Sequence, residues 1–185
     1  GTLSITCLER EHEFCALALQ STNRLTRLLS DILDLSRVEA GKMQIRADRF
    51  NLPETIRQAV DLCAPIAVQT GVELRHHWDP ALPAWAVGDP VRLQQILTNL
   101  VGNAFKFTRS GHVTVEAYPL PTTAEGQARI FFSVSDSGCG MSDEVIKRLF
   151  EPFTQGGQGY TRSHQGAGLG LSICKHLVAL MGGSI

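Results

Sequence analysis

Arg92, Gln95, Asn99, Asn103 and Lys106 recur at spacings of three and four along one stretch of the chain. On a helix turning 100° per residue they fall within an arc of roughly 80°. Leu93, Ile96, Leu97, Leu100, Ala104 and Phe107 gather on a face centred roughly 120° away. Such a helix buries one side and shows amides and cations on another. An ordinary amphipathic surface helix would divide in the same way, although its polar face more usually carries Glu and Lys. Asparagine is a poor helix former on an exposed face, so two of them one turn apart need a reason. An amide oxygen is a hard ligand for Mg²⁺ that adds no charge, and a lysine offers a point charge to phosphate. The spacing therefore predicts contact with a metal–phosphate group, with the surface helix as the alternative.

Two glycine-bearing segments carry the next signals. In Ser135-Asp136-Ser137-Gly138-Cys139-Gly140-Met141 a strand ends in a carboxylate, and two glycines let the backbone turn sharply and approach a neighbour closely. The same composition also suits a plain strand-to-helix turn. In Gly166-Ala167-Gly168-Leu169-Gly170-Leu171 the glycines run into a helix, whose N-terminal N–H groups can receive an anion. A flexible lead-in to a core helix is the competing reading. Neither segment is a dinucleotide fingerprint, because position 143 is Asp and position 171 is Leu where a third glycine would fall. No Gly-x-x-x-x-Gly-Lys-Ser/Thr loop occurs either, so a nucleotide site here must be of another type.

The elements that must position these residues follow from periodicity and punctuation. Asp89-Pro90 supplies an N-cap and a first-turn proline for a helix running to about Phe107. His112 to Tyr118 and Arg129 to Ser135 read as strands, as does Val72 to Trp78 more weakly. Met43 to Ile45 reads as a short strand, and Pro53 opens a helix through about Gln69. A Pro-rich loop spans Pro80 to Pro90. Ser142 to Phe150 reads as a helix with Asp143 and Glu144 in its first turn, where they favour the dipole. Gln155 to Gln165 is a loop, and Leu169 to Met181 a last helix. Ahead of all these, about Arg10 to Ala40 carries a heptad seam of Phe14, Ala18, Ser21, Leu25, Leu28, Ile32 and Leu35. Leu17, Leu29 and Leu33 widen that face, which suits a four-helix bundle, although a core helix of one globular domain would also fit. Gly41 stops the helix. The expected fold class is α/β (α+β): a two-layer sandwich with a mixed sheet covered by helices on one face, preceded by a long N-terminal helix.

Bulk properties narrow the function classes. The 185 residues allow one ordinary domain plus an appended element, and a hydrophobic fraction of 43% allows a buried core. The net charge of −1 gives no basic excess for nucleic-acid binding. No apolar run reaches the roughly 20 residues of a membrane span. Five scattered cysteines, with no Cys-x-x-Cys pair, read as reduced thiols of a cytosolic protein.

Taken in order, the segments resemble the catalytic domain of sensor histidine kinases, within the wider group shared with gyrase, Hsp90 and MutL. Asp89-Pro-Val-Arg-Leu-Gln-Gln-Ile-Leu-Thr-Asn99-Leu-Val-Gly-Asn103-Ala-Phe-Lys106-Phe107-Thr108 is similar to the family's N box. Asp136 to Met141 is similar to the first glycine box, Phe150-Glu-Pro-Phe153-Thr-Gln155 to the phenylalanine box, and Gly166 to Leu171 to the second glycine box. Ser30 to Lys42 resembles the end of the second dimerisation helix and its exit. The resemblance implies that Asp136 accepts a hydrogen bond from the adenine amino group, with Gly138, Gly140 and Met141 close to the base. It implies that Asn103 ligates Mg²⁺, and that Asn99, Lys106 and Phe107 address the phosphates and their surroundings. It makes Gln155–Gln165 an ATP lid flanked by Phe153, with Arg162 a phosphate contact. Gly166, Gly168, Leu169, Gly170 and Leu171 then form the segment that lets the lid close. His164 reads as a solvated loop residue rather than a catalyst.

The implied activity is transfer of the ATP γ-phosphoryl group to a histidine, then to an aspartate on a response-regulator receiver domain. Asn99 bears on the choice within the group, since the hydrolytic relatives are expected to carry a glutamate there. An amide takes no proton at neutral pH, so water activation should be poor. Two other readings remain: an ATP- or ADP-sensing module without phosphotransfer, and an ATP-driven clamp of the gyrase or MutL type. The acceptor histidine is expected on a helix ahead of this stretch. His12-Glu13 is the nearest imitation but is followed by Phe14-Cys15-Ala16-Leu17, so His12 reads as a helix-surface residue. Residues 1–41 then belong to a dimerisation domain whose helical hairpin pairs two copies. Residues 42–185 form the ATP-binding domain, with relatives continuing into further strands and an open strand edge expected. The run Lys175 to Gly183 is similar to hybrid kinases, which implies a fused receiver. The resemblance implies a cytoplasmic location, and the sequence leaves open whether the parent is anchored in the inner membrane.

Overall fold

A computed structural model describes residues 2–122, 126–154 and 168–185. The chain divides into two compact units, Gly1–Met43 and Gln44–Ile185. The first is built on α1 (Thr2–Glu39), which starts eight residues earlier than the seam alone suggests. No proline or glycine interrupts residues 2–40, so nothing in the backbone stops the helix sooner. It ends where Gly41 takes φ +64° and donates to Val38 O, while the Lys42 N–H returns to Arg37 O at 2.8 Å. Phe14, Leu17, Leu25, Leu29, Ile32 and Leu33 are all exposed along it. The His12 side chain lies outside the described ones.

The second unit has two sheets and five helices among the described residues. β1 (Asp48–Asn51) runs antiparallel to β3 (Trp85–Gly88), with Phe50 opposite Ala86. The larger sheet has the order β2-β4-β5. β2 (Glu73–Trp78) is parallel to β4 (His112–Leu120), and β5 (Arg129–Asp136) is antiparallel to it. The sheet is therefore mixed, and among the described residues β5 forms one of its edges. The helices are α2 (Leu52–Asp61), α3 (Ala64–Thr70), α4 (Pro90–Phe107), α5 (Asp143–Arg148) and α6 (Gly170–Leu180).

β4 alternates strictly: Val113, Val115 and Ala117 are fully buried while their neighbours are only partly covered. Val113 and Val115 pack on Val60, Val101, Ala104 and Phe105, and Ala117 packs near Ile56, Leu93 and Leu97. α2 and α4 thus cover one face of the sheet. Side chains such as Ile56 and Leu97 each contribute roughly 1.5–3 kcal/mol by complete burial. The opposite face carries Tyr118 stacked on Phe131, ring centroids 5.0 Å apart.

Three expected elements need correction. Met43–Ile45 is not a strand; the strand lies at Asp48–Asn51, where a partner exists in β3. The helix expected from Pro53 to Gln69 is divided into α2 and α3. Pro65 has no N–H to give Asp61 O, and its ring would press on that carbonyl. The loop expected over Pro80–Pro90 contains β3, whose Trp85-Ala-Val-Gly88 alternation is hidden between prolines.

Candidate functional site

α4 is the floor of the candidate site, and its direction is fixed at the first turn. The Asp89 carboxylate is buried and uses both oxygens. Oδ1 accepts from Arg92 N at 3.0 Å, and Oδ2 accepts from Arg46 N at 3.1 Å. Pro90 begins the helix with a preset φ and no N–H to leave unsatisfied. Along the stripe the Arg92 guanidinium donates to Gln95 Oε1 at 2.6 Å. Asn99 is buried, Asn103 and Lys106 are half-buried, and Phe107 is exposed. The Lys106 ammonium lies 5.1 Å from the centroid of the Phe107 ring.

Asn99 is covered because α6 begins on top of it. A Cβ placed on Gly170 would lie 3.6 Å from both Cγ and Oδ1 of Asn99. α6 is anchored by Leu169, Ile173, Cys174 and Leu177, all fully buried, and by the Cys174 thiol directed at Ile96 O, 3.9 Å away. Its N-cap, Leu169, gives no side-chain hydrogen bond, so its leading N–H groups start the helix beside a carboxamide. Because Leu169 is buried, any contact it makes with a ligand is through its main chain. Leu171 is half-buried.

The carboxylate-bearing loop attaches to the other end of the same helix. Asp136 closes β5 opposite Val113 and is exposed. Its Oδ1 accepts from Gly138 N at 2.9 Å. A Cβ at Gly138 would collide with Phe107 O and lie 2.8 Å from Asp136 Oδ1 and 2.9 Å from Phe107 C. The neighbouring Cys139 N–H donates to Phe107 O at 3.4 Å. Ser137 ties the loop to β4, its N–H donating to His112 O and its hydroxyl accepting from His112 N at 2.9 Å. Gly140 turns the chain at φ +69°, and Met141 is exposed beyond it.

Phe153 and Gly168, which flank residues 155–167, meet each other. Phe153 takes φ 60°, a left-handed conformation unusual for a side chain of this size. Its N–H donates to Gly168 O at 3.1 Å, and Gly168, at φ +72°, leaves no room for a Cβ, which would lie 2.9 Å from Thr154 O. The two ends of the segment expected to form a lid are therefore held together. Arg162, His164 and Gly166, with the rest of 155–167, lie outside the described residues.

The structure thus brings Asn99 to Gly170, Phe107 and Asp136 to Gly138, and Phe153 to Gly168. Burial of Asn99 and the anchoring role of Phe107 O were missed from sequence. Both arise where segments far apart in the chain cross, and no local spacing signals them. Together the groups offer an acceptor carboxylate at one end of α4 and amides and cations along it. Helix N–H groups lie beside its midpoint.

A sequence model described as "Histidine kinase-, DNA gyrase B-, and HSP90-like ATPase" matches residues 88–185, more than half of the chain. The chain is 39% identical over 184 residues to "Sensory/regulatory protein RpfC" of Xanthomonas campestris pv. campestris, covering 99% of this chain and 25% of that protein. It is 37% identical over 178 residues to "Hybrid signal transduction histidine kinase L" of Dictyostelium discoideum, covering 96% of this chain and 10% of that protein. It therefore spans a quarter or less of either relative. Among solved structures, "ShkA full-length in complex with AMPPNP" superposes with a TM-score of 0.71 at 34% identity, covering 88% of this chain and 32% of that one.

Proposed function

The chain belongs to the histidine kinase-, DNA gyrase B- and HSP90-like ATPase family, and on that premise we propose that it is the ATP-binding catalytic domain of a sensor histidine kinase. Its reaction is transfer of the γ-phosphoryl group of ATP to a histidine on another helix, and onward to a response-regulator receiver domain. The observation that carries this reading is that both glycine-bearing segments seat on one helix: Gly138 on Phe107 O, and Gly170 on Asn99. Adenine and phosphates can then be held at once by groups whose spacing α4 sets.

In this reading Asp136 selects adenine by accepting from its amino group. Asn99 and Lys106 meet the phosphates, and the N–H groups that open α6 add neutral donors beside them. Among the described residues no cluster of three His, Cys, Asp or Glu forms a metal cage. A half-buried amide oxygen on Asn103 suits a cation that arrives with phosphate oxygens and keeps much of its water. Mg²⁺ bound there would neutralise phosphate charge. Asn99 holds a neutral amide where water activation would need a base, so positioning for phosphoryl transfer is favoured over hydrolysis.

The relative named as a hybrid kinase supports a receiver domain as partner, fused or separate. The exposed apolar seam of α1 supports pairing of two copies through a helical bundle, which makes residues 1–41 part of a dimerisation domain. No described helix is long and apolar enough to cross a membrane; a cytoplasmic location is part of the proposal.

The test is calorimetric titration with ATP, ADP and GTP, with and without Mg²⁺. The parent should prefer ATP, Asp136→Ala should lose that preference, and Asn103→Asp should change only the Mg²⁺-dependent part. A parent blind to the base, or an Asp136→Ala variant as selective as the parent, overturns the assignment. Phosphate transfer in trans to an added helical hairpin separates a kinase from a sensor.

A further inference from the structure

Strand parity decides which way Asp136 faces. It is the last residue of β5 and lies opposite Val113 of β4, which is fully buried in the core shared with α4. Val134 and Phe132 lie opposite Val115 and Ala117 on the same face. Side chains alternate along a strand, so a slip of one residue would carry Asp136 to the uncovered face of the sheet. Strand ends fray first, because their last pair has a ladder on one side only. The end of β5 therefore needs a fastening of its own.

Ser137 supplies it. Its N–H donates to His112 O at 3.1 Å, its hydroxyl oxygen accepts from His112 N at 2.9 Å, and the hydroxyl also donates to His112 O at 3.2 Å. A hydroxyl carries one proton and two lone pairs, so it can do both at once. Ser137 thus engages both main-chain groups of His112, the first residue of β4. The residue before His112 makes room for this. A Cβ at Gly111 would collide with the Ser137 hydroxyl oxygen and lie 3.3 Å from the Ser137 Cβ. Gly111 has φ +111°, which glycine adopts without steric penalty. Its carbonyl accepts from Glu73 N, at the start of β2, at 2.9 Å. Through Gly111 and His112 the serine is tied to the body of the sheet, a tie separate from the seat of Gly138 on Phe107 O.

Resting on the reading of Asp136 as acceptor for the adenine amino group, we infer that Ser137 is a positioning residue for base selection. Its hydroxyl extends the β4–β5 ladder by one pair beyond Asp136. That fixes the face and the height at which the carboxylate meets the base. The role needs no contact between Ser137 and the nucleotide.

The experiment compares Ser137→Ala and Ser137→Thr with the parent chain, by melting and by titration with three Mg²⁺-bound nucleotides. These are ATP, GTP and purine riboside triphosphate, which has hydrogen in place of the adenine amino group. Ser137→Ala loses one exposed hydrogen-bonding group, so its melting temperature should fall by no more than about 5 °C. Its ATP affinity should fall about three- to tenfold, while GTP and the purine analogue stay within twofold of the parent. Ser137→Thr keeps the hydroxyl and should hold the parent's ATP/GTP ratio to within twofold. Equal losses for all three nucleotides overturn the inference, because the damage is then to the fold and not to the contact with the amino group. A Ser137→Thr variant as impaired as Ser137→Ala overturns it too, since the hydroxyl would not be what matters. If Ser137→Ala keeps the ATP/GTP ratio that Asp136→Ala loses, the adenine reading stands and the role of Ser137 falls. A parent that does not distinguish ATP from GTP removes the adenine reading, and this inference with it.

Discussion

Replacing Gly138 by alanine tests how the candidate site is held together. The added methyl would collide with the Phe107 carbonyl oxygen and lie 2.9 Å from its carbon and 2.8 Å from Asp136 Oδ1. Carbon atoms in ordinary contact stay about 3.5 Å or more apart, so something must move by about half an ångström or more. Two of the three obstacles are main-chain atoms at the end of α4, which Phe105, Val101 and Ala104 bind to the core. The loop is the softer partner. When it moves, Cys139 N loses Phe107 O and Gly138 N is pulled from Asp136 Oδ1. Two partly exposed hydrogen bonds at about 0.5–1.5 kcal/mol each, with about 1 kcal/mol of local strain, give about 2–4 kcal/mol. For a chain of this size that lowers the melting temperature by roughly 5–12 °C.

The consequence for binding is separate and more discriminating. The Asp136 carboxylate travels with the loop, so its distance to an adenine bound as proposed changes even though the side chain is intact. Displacements on this scale at a positioned group cost up to about a hundredfold, and the discrimination of ATP from GTP should fall at least tenfold. Gly140→Ala is the control. Gly140 has φ +69° and nothing within 4 Å among the described residues, so alanine there meets left-handed strain of about 1–2 kcal/mol without a collision. Thermal melting and ATP/GTP titration of both variants decide the matter. If Gly140→Ala is the more damaging, or Gly138→Ala keeps the parent's selectivity, the seat on Phe107 O does not position Asp136.

Two further outcomes follow from the same geometry. Asp89→Ala removes a buried cap and strands both Arg92 N and Arg46 N. It should cost about 2–3 kcal/mol, more than the usual single cap, and a loss under 1 kcal/mol in denaturant titration would show that water replaces the carboxylate. Phe153→Gly should melt roughly 3 °C above Phe153→Ala, because only glycine takes φ 60° without penalty; equal melting would mean the left-handed turn stores no strain.

What was legible in the sequence depended on how local its cause was. The α4 cap needs only Asp89, Pro90 and the next turn, and it lies where Asp-Pro places it. The polar stripe needs only the helical period. β4 and β5 announce themselves by alternation over eight or nine residues. β1 and β3 have four residues each and gain their stability from a ladder between positions 34 to 40 residues apart, from Asn51–Trp85 to Asp48–Gly88. Neither strand carries enough pattern to be seen alone. Met43-Gln-Ile45 shows the reverse, a local alternation with no strand paired to it among the described residues. Pro65 was visible and its effect on Asp61 O follows from elementary sterics, yet the apolar rhythm on both sides of it masked the break.

The site shows the same division. Residue types along α4 told which chemistry is available, while the crossings of α6 and of the β5 loop decide where it is used. Gly170 and Gly138 illustrate this: as sequence, both are merely glycines in flexible-looking runs. In the fold, each is the point where a distant segment touches α4, one at the Asn99 carboxamide and the other at the Phe107 carbonyl. About eight residues, or 12 Å of helix, separate those two contacts, close to the span from an adenine ring to the terminal phosphates of an extended nucleotide. Changing that separation should therefore be more harmful than changing either contact's polarity. A one-residue insertion in α4 between Asn99 and Phe107 would turn Lys106 and Phe107 by 100° relative to Asn99. It should abolish ATP binding even if the chain still folds.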